Sequence, residues 1–262
     1  MTGSFPIDPL YSLSGFLVGV LVGQTGVGGG SLMTPLLVLM FGIHPATAVG
    51  TDLLYAAATK TVGTLTHGLH GTVNWRITGL LASGSVPATL LTLLVMSQFE
   101  TLGPSSARLL STGLGVALVV TSMALLSRRH ILAYTARNMP WLDGPHVATA
   151  TVVLGVVMGV LVTLSSVGAG AIGMTVLVIL YRRTPLPQLI GSDIAHAVPL
   201  TLIAGIGHWF VGSVDWMLLL SLLTGSIPGI IIGTLMSVRL PDYILRPTLA
   251  ITLLMVGGKL LL

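Results

Sequence analysis

Gly50-Thr51-Asp52 returns as Gly191-Ser192-Asp193, 141 positions further on. The same spacing carries His67 onto His208 and Gly71-Thr72-Val73-Asn74-Trp75 onto Gly212-Ser213-Val214-Asp215-Trp216. It also carries Ser83-Gly84-Ser85-Val86-Pro87 onto Thr224-Gly225-Ser226-Ile227-Pro228. Biased composition does not hold one register through all of these blocks, so the chain is an internal duplication. A glycine run precedes each copy, Gly26-Val27-Gly28-Gly29-Gly30 and Gly168-Ala169-Gly170. The runs align one residue out of step, which leaves one extra residue between break and aspartate in the first copy.

Outward from these blocks the chain is apolar. Only 7% of its 262 residues are charged and 53% are hydrophobic, where a soluble domain carries roughly a quarter charged residues. The mean hydropathy is +0.98. Too little charge remains to coat a water-soluble surface, so the solvent is lipid. Many of the 33 glycines and 14 prolines fall inside apolar stretches, as membrane helices tolerate. The net charge of +4 matters through where the cations fall and implies no nucleic-acid partner. Without cysteine there is no disulfide framework or thiolate metal site. The methionines are scattered without the clustering of a soft-metal pathway, and neither metal nor cofactor is expected. Met1 to Leu10 lacks the basic start of a secretory signal.

About 20 apolar residues cross a hydrocarbon core of about 30 Å. Candidate spans are Ala46 to Thr66, Ile77 to Met96 and Leu109 to Ser127, then Pro187 to Gly207, Trp216 to Val238 and Ile244 to Leu262. Each set of three follows a longer glycine-broken stretch, Leu10 to Gly42 or Val147 to Tyr181. Between the sets lies a polar connection with Arg128, Arg129, Arg137 and Asp143. The expected division is therefore a first repeat over 1–127, a linker over 128–146 and a second repeat over 147–262.

The cations decide how the halves are related. If both broken stretches crossed the membrane, the lysines and arginines outside the spans would divide evenly between its faces. If both fold back as re-entrant hairpins, Arg76, Arg128, Arg129, Arg137, Arg182, Arg183, Arg239 and Arg246 share one side, and Arg108 and Lys259 the other. The second division satisfies the positive-inside rule. The predicted fold is all-α and polytopic: two inverted repeats, each a re-entrant hairpin plus three transmembrane helices. The linker is then cytoplasmic, and both termini face the other side of a cell membrane.

Inversion brings two hairpin tips toward the bilayer middle from opposite faces, with limbs of about 12 to 15 residues. Helices beginning at Gly30 or Ser31, and at Ala171 or Ile172, would point free N–H groups and positive dipole ends inward. With Gln24, Thr25, Gly28, Gly29, Ser31, Ser165, Ser166, Gly168 and Gly170 around them, they describe an anion site. Close packing of small residues is the plainer reading of the glycines.

Ionisable residues inside spans cost at least roughly 2.5 kcal/mol each at mid-membrane and need a reason. Asp52 and Lys60 stand on one helix, Asp193 and His196 on its repeat, and His67 and His208 near the ends of both. Lys60 is too far along the helix to bond Asp52; it is expected to pair with Asp193 across the interface or to face a bound anion. These groups read either as a proton relay or ligand clamp, or as a buried structural pair or carboxylates that cap backbone at a helix start. His67 and His208 read as proton carriers or as residues bonded to loop carbonyls, and Trp75 and Trp216 as an interfacial belt.

The paired glycine breaks, Gly50-Thr51-Asp52-Leu53-Leu54, Thr59-Lys60, His67, Gly71-Thr72-Val73-Asn74-Trp75 and Gly84-Ser85-Val86-Pro87 together resemble the sulfite exporter TauE/SafE family of membrane permeases. The resemblance covers nearly the whole chain. It implies a secondary transporter, an exporter of sulfite or an organosulfonate, coupled to an ion gradient such as protons and not an enzyme. A carrier of small carboxylates would use the same helix-start chemistry. An intramembrane aspartyl protease would use Asp52 and Asp193 as a dyad sharing one proton, which Lys60 nearby disfavours.

Overall fold

The computed structural model describes residues 7–25, 30–100, 112–113, 115–127, 130, 146–167, 170, 172–235 and 242–261. The described residues form helices and no strand: α1 (Pro9–Thr25), α2 (Gly30–Leu39), α3 (Pro45–Leu69), α4 (Trp75–Glu100) and α5 (Gly115–Ser127). After the linker, of which only His130 and His146 are described, come α6 (Val147–Ser165), α7 (Ile172–Leu180), α8 (Leu186–Phe210), α9 (Trp216–Leu235) and α10 (Asp242–Leu261). Among the described residues α4, α6, α8 and α9 carry stretches long and apolar enough to cross a membrane. The chain is an all-helical, polytopic membrane protein.

The repeated sequence blocks build repeated local structure. α3 opens on Pro45, and α8 carries Pro187 as its second residue, both in the first turn where a missing N–H does no harm. Each closes in a turn through a left-handed glycine, Gly71 at φ 64° and Gly212 at φ 78°. There the His67 carbonyl accepts from Thr72 N and the His208 carbonyl from Ser213 N, both at 3.0 Å. Asn74 Oδ1 then caps the start of α4 through the N–H groups of Arg76 and Ile77 at 3.2 and 3.4 Å. Asp215 Oδ1 caps α9 through Met217 and Leu218, both at 3.0 Å.

The two turns also lock the halves together. Asn74 N donates to Ser192 Oγ at 2.9 Å, and Asp215 N to Thr51 Oγ1 at 3.0 Å. Beside these bonds the Ser213 carbonyl lies against Gly50 and the Thr72 carbonyl against Gly191, where any Cβ would collide with it. The recurring Gly-Thr and Gly-Ser pairs are therefore a reciprocal clasp. Each bond adds about 1 kcal/mol.

Contact register gives α1, α3, α4, α6, α8 and α9 their directions. α3 and α8 are antiparallel: Gly50 meets His208, Gly205 meets Leu54 and Gly63 meets Ile194. α4 runs parallel to α8, from Thr78 on the Ser192 carbonyl to Ser85 on His196, and α9 runs parallel to α3 through Asp215–Thr51 and Thr59–Ser226. α1 lies parallel to α9, with Gly15 on Leu222 and Gly19 on Ser226, and α6 parallel to α4, with Gly155 on Leu81 and Gly159 on Ser85. Helices that correspond in sequence, α1 with α6, α3 with α8 and α4 with α9, thus point in opposite directions. Each half also swaps its first helix onto the other half, where glycines let backbones approach without Cβ atoms between them.

Both broken stretches double back. Tyr11, at the start of α1, packs edge-on against Phe41, just past α2, with ring centroids 4.8 Å apart. Thr151, near the start of α6, bonds Tyr181, just past α7, at 2.9 Å. The limbs are unequal, unlike the 12 to 15 residues expected for each: 17 and 10 residues in the first hairpin, 19 and 9 in the second. The entering limb packs along a full neighbouring helix and gains from length. The returning limb only has to regain the surface by way of α2 or α7.

Outside this packing, the large apolar side chains Leu90, Leu91, Leu94, Val153, Val156, Val157, Ile227, Ile231 and Ile232 are exposed along α4, α6 and α9. Such a surface suits acyl chains. Trp75 and Trp216 are exposed at the starts of α4 and α9. Because those helices are opposed, the two indoles stand at opposite ends of the molecule, as a two-faced aromatic belt requires.

Candidate functional site

Four buried ionisable side chains converge where α3 and α8 cross. Asp52 is 0% exposed, Lys60 3%, Asp193 1% and His196 0%. Nothing in a lipid-facing helix would retain them unless they compensated one another or a ligand. Lys60 lies in electrostatic reach of both carboxylates.

Each aspartate is set against the short helix of its own hairpin. Thr34 Oγ1, midway along α2, donates to Asp52 Oδ2 at 2.5 Å. In the second half Asp193 Oδ1 lies against Gly173, the second residue of α7; a Cβ there would stand 2.9 Å from it. Asp193 accordingly sits beside the start of α7, whose positive end was expected to receive an anion, and Asp52 beside the middle of α2. An ionised carboxylate and a ligand anion would compete for one dipole.

The remaining polar contacts obey the same two-fold relation with different residues. His196 Nε2 and Ser85 Oγ are 2.8 Å apart. At the corresponding place stand Tyr55, fully buried, and Ser226, which approaches it. Lys60 corresponds to Thr201, also buried, whose hydroxyl bonds its own Ala197 carbonyl at 2.7 Å. The scaffold is symmetric and its charge is not.

The hairpin tips are partly in view. α2 begins at Gly30 and α7 at Ile172, where the glycine runs placed them. Gly28, Gly29 and Gly168 lie outside the described residues, as do the side chains of Gln24, Thr25 and Ser31. Gly170 is buried in the second tip. Ser165 proves unsuited to hold an anion: its hydroxyl donates to the Leu161 carbonyl at 2.7 Å and accepts from Val167 N at 3.2 Å. Ser166 caps the C-terminus of α6, the negative end of a helix dipole, and is no anion donor either.

The two terminal histidines part company. His67 is half-buried, with Nδ1 2.9 Å from the Thr72 hydroxyl of its own turn. His208 is buried and its Nε2 donates to the Thr163 carbonyl at 2.9 Å, which ties the end of α8 to α6. Both are bonded within loop or helix backbone surroundings, and neither touches the central cluster. Residues absent from the sequence-based site are Thr34, Ser85, Tyr55 and Ser226. Three of them carry the duplication signal, Thr34 with Thr175 and Ser85 with Ser226, at the same 141-residue spacing.

The chain is similar in sequence to known proteins over most of its length. A probable membrane transporter protein of Bacillus subtilis (strain 168), YjnA, is 37% identical over 251 residues, spanning 95% of this chain and 98% of its own. A second from that organism, YdhB, is 28% identical over 254 residues, 94% and 97% of the two chains. A probable membrane transporter protein of Xylella fastidiosa (strain 9a5c) is 28% identical over 228 residues, 86% and 83%. No solved structure matches. Residues 11–260 match the family described as Sulfite exporter TauE/SafE. With an all-helical polytopic fold, a duplicated core and that match over nearly its whole length, the chain belongs to the TauE/SafE family of membrane transporters.

Proposed function

We propose that this protein is a secondary transporter of a small anion, sulfite or an organosulfonate, working as an exporter in the cell membrane by alternating access around a midplane site. The observation that carries the reading is the burial of Lys60 with two carboxylates at the crossing of α3 and α8, beside the short helices α2 and α7. The anion would lie between Lys60 and the N–H groups opening α2 and α7, around Gly30, Ser31 and Gly170. Protons are the coupling ion in this reading. A carboxylate that shares a helix start with the ligand has to be neutral for the ligand to enter.

The halves act as inverted repeats across the bilayer. The opposed directions of corresponding helices and the doubled-back hairpins support this, because rocking one half against the other then exchanges two equivalent states. The exposed Arg76, Arg182 and Arg183 share one end of the molecule, which the positive-inside rule makes cytoplasmic and which leaves both termini outside.

A binding series on purified protein tests the anion. Sulfite, sulfate, thiosulfate, sulfoacetate and acetate are compared by thermal shift or isothermal titration. Sulfur oxyanions are expected to stabilise the protein, and Lys60→Ala to abolish the effect. Stabilisation by acetate alone would move the substrate to small carboxylates, and no response to any of the five would remove the central anion site.

A further inference from the structure

Asp52 and Asp193 hold the same place in the two halves, yet they are satisfied differently. Asp52 Oδ2 accepts from Thr34. Among the described residues no group donates to Asp193, and its Oδ1 is buried without a partner. That oxygen lies against Gly173, where a Cβ would stand 2.9 Å from it, with the flexible Met158 thioether beside the same point. A buried carboxylate keeps lone pairs whether it is ionised or protonated, and only a hydrogen-bond donor satisfies them.

His196 stands three residues further on, on the same face of α8. Its Nε2 is 2.8 Å from Ser85 Oγ, and its Nδ1 is buried without a partner. The hydrogens of this pair can be counted. A neutral imidazole carries one N–H and the serine one O–H, and the single contact uses one of the two. If Ser85 donates, the ring hydrogen is on Nδ1 and has no acceptor. If Nε2 donates, the serine hydrogen is the one left over. An imidazolium leaves both. In every state the pair holds a donor hydrogen that no described residue accepts, within one helical turn of a carboxylate that receives none.

Unused donor and unused acceptor on one helix face are complementary to a ligand that has both. We propose that Asp193 and the Ser85–His196 pair are the specificity-determining groups of the anion site, and that the sulfur oxyanion it takes carries an O–H group. The substrate hydroxyl donates to Asp193, and an oxygen on its sulfur accepts from the Ser85–His196 pair. Lys60, in electrostatic reach of both residues, supplies the positive charge. An anion with acceptors alone sets its oxygens against the Asp193 lone pairs and is repelled. This selectivity rests on the proposed sulfur-oxyanion site and narrows its ligand. Hydrogen sulfite and a hydroxyalkanesulfonate both bring the required O–H.

Isothermal titration of the purified protein compares two pairs in which a methyl group replaces the hydroxyl: hydroxymethanesulfonate against ethanesulfonate, and hydrogen sulfite against methanesulfinate. In at least one pair the hydroxylated anion is expected to bind about tenfold more tightly or better, and the pair that shows the preference identifies the source of the O–H. Asp193→Ala should reduce that preference to about twofold or less, with the methyl anion bound at least as well as by the parent. Ser85→Ala, which leaves the carboxylate in place, should weaken both members of the pair and keep part of the preference. Equal affinities within both pairs in the parent overturn the assignment and leave the anion site standing, whatever the variants do. A preference undiminished in Asp193→Ala, or a loss of both members together in that variant, also overturns it. Binding of none of the four anions removes the anion site itself and this selectivity with it.

Discussion

The crossing of α3 and α8 places two nearly equivalent environments side by side. In the first, Asp52 is followed by Tyr55 and Lys60; in the second, Asp193 is followed by His196 and Thr201 at the same intervals. The surrounding frame is duplicated to the level of single hydrogen bonds. Thr51 and Ser192 clasp opposite turns, Gly71 and Gly212 take the same conformation, and Ser85 and Ser226 face the variable aromatic position. What differs is the placement of positive charge. The lesson is a division within the frame: duplicated residues hold the halves in register, and the positions that broke from duplication set where the buried positive charge lies.

The largest expected effect comes from removing that asymmetry. Lys60→Thr makes the first half resemble the second and leaves two carboxylates buried without a counter-ion, a destabilisation of about 3 kcal/mol or more. Transport measured in proteoliposomes should be lost. Adding Thr201→Lys moves the ammonium to the mirrored position and should restore both stability and part of the flux. A double variant as impaired as the single would break the equivalence of the two environments.

The clasp predicts the next effect. Ala at Gly50 drives a Cβ into the Ser213 carbonyl, and Ala at Gly191 drives one into that of Thr72, costing about 2 kcal/mol in each case. Matched falls in Tm would support a symmetric frame; tolerance at either position would break the symmetry.

Thr51→Ala and Ser192→Ala should each cost about 1 kcal/mol, since each strands a turn N–H. The exchanges Thr51→Ser and Ser192→Thr should be nearly neutral, because each half already uses the other's hydroxyl. The smallest contrast sharpens the histidines. His208→Ala removes a buried bond to Thr163 and should lower stability by about 1 kcal/mol. His67→Ala, half-exposed at a turn, should change it by under about 0.5 kcal/mol.

Much of this frame was legible before any coordinates. The glycine runs marked helix interruptions because few other residues tolerate such backbone, and α2 and α7 begin at Gly30 and Ile172 beside them. The arginine distribution pointed to doubled-back stretches, and Tyr11–Phe41 and Thr151–Tyr181 close both. The site was less legible. Ser165 and Ser166 looked alike as hydroxyl donors beside a glycine break. One is spent on its own helix end, and the other stands at the wrong pole of α6 for an anion.

Composition and repeat spacing by themselves determined that the chain lies in lipid, is helical, is duplicated, and breaks its helices at two corresponding places. Those properties are set by local chemistry: the cost of unpaired backbone in hydrocarbon and the freedom of glycine. Tertiary structure alone decided that Ser85 meets His196 across the halves, and that the turns at Asn74 and Asp215 bond Ser192 and Thr51. Such pairings join residues more than a hundred positions apart. They depend on the rotation and register of packed helices, which a periodic pattern along one chain does not specify.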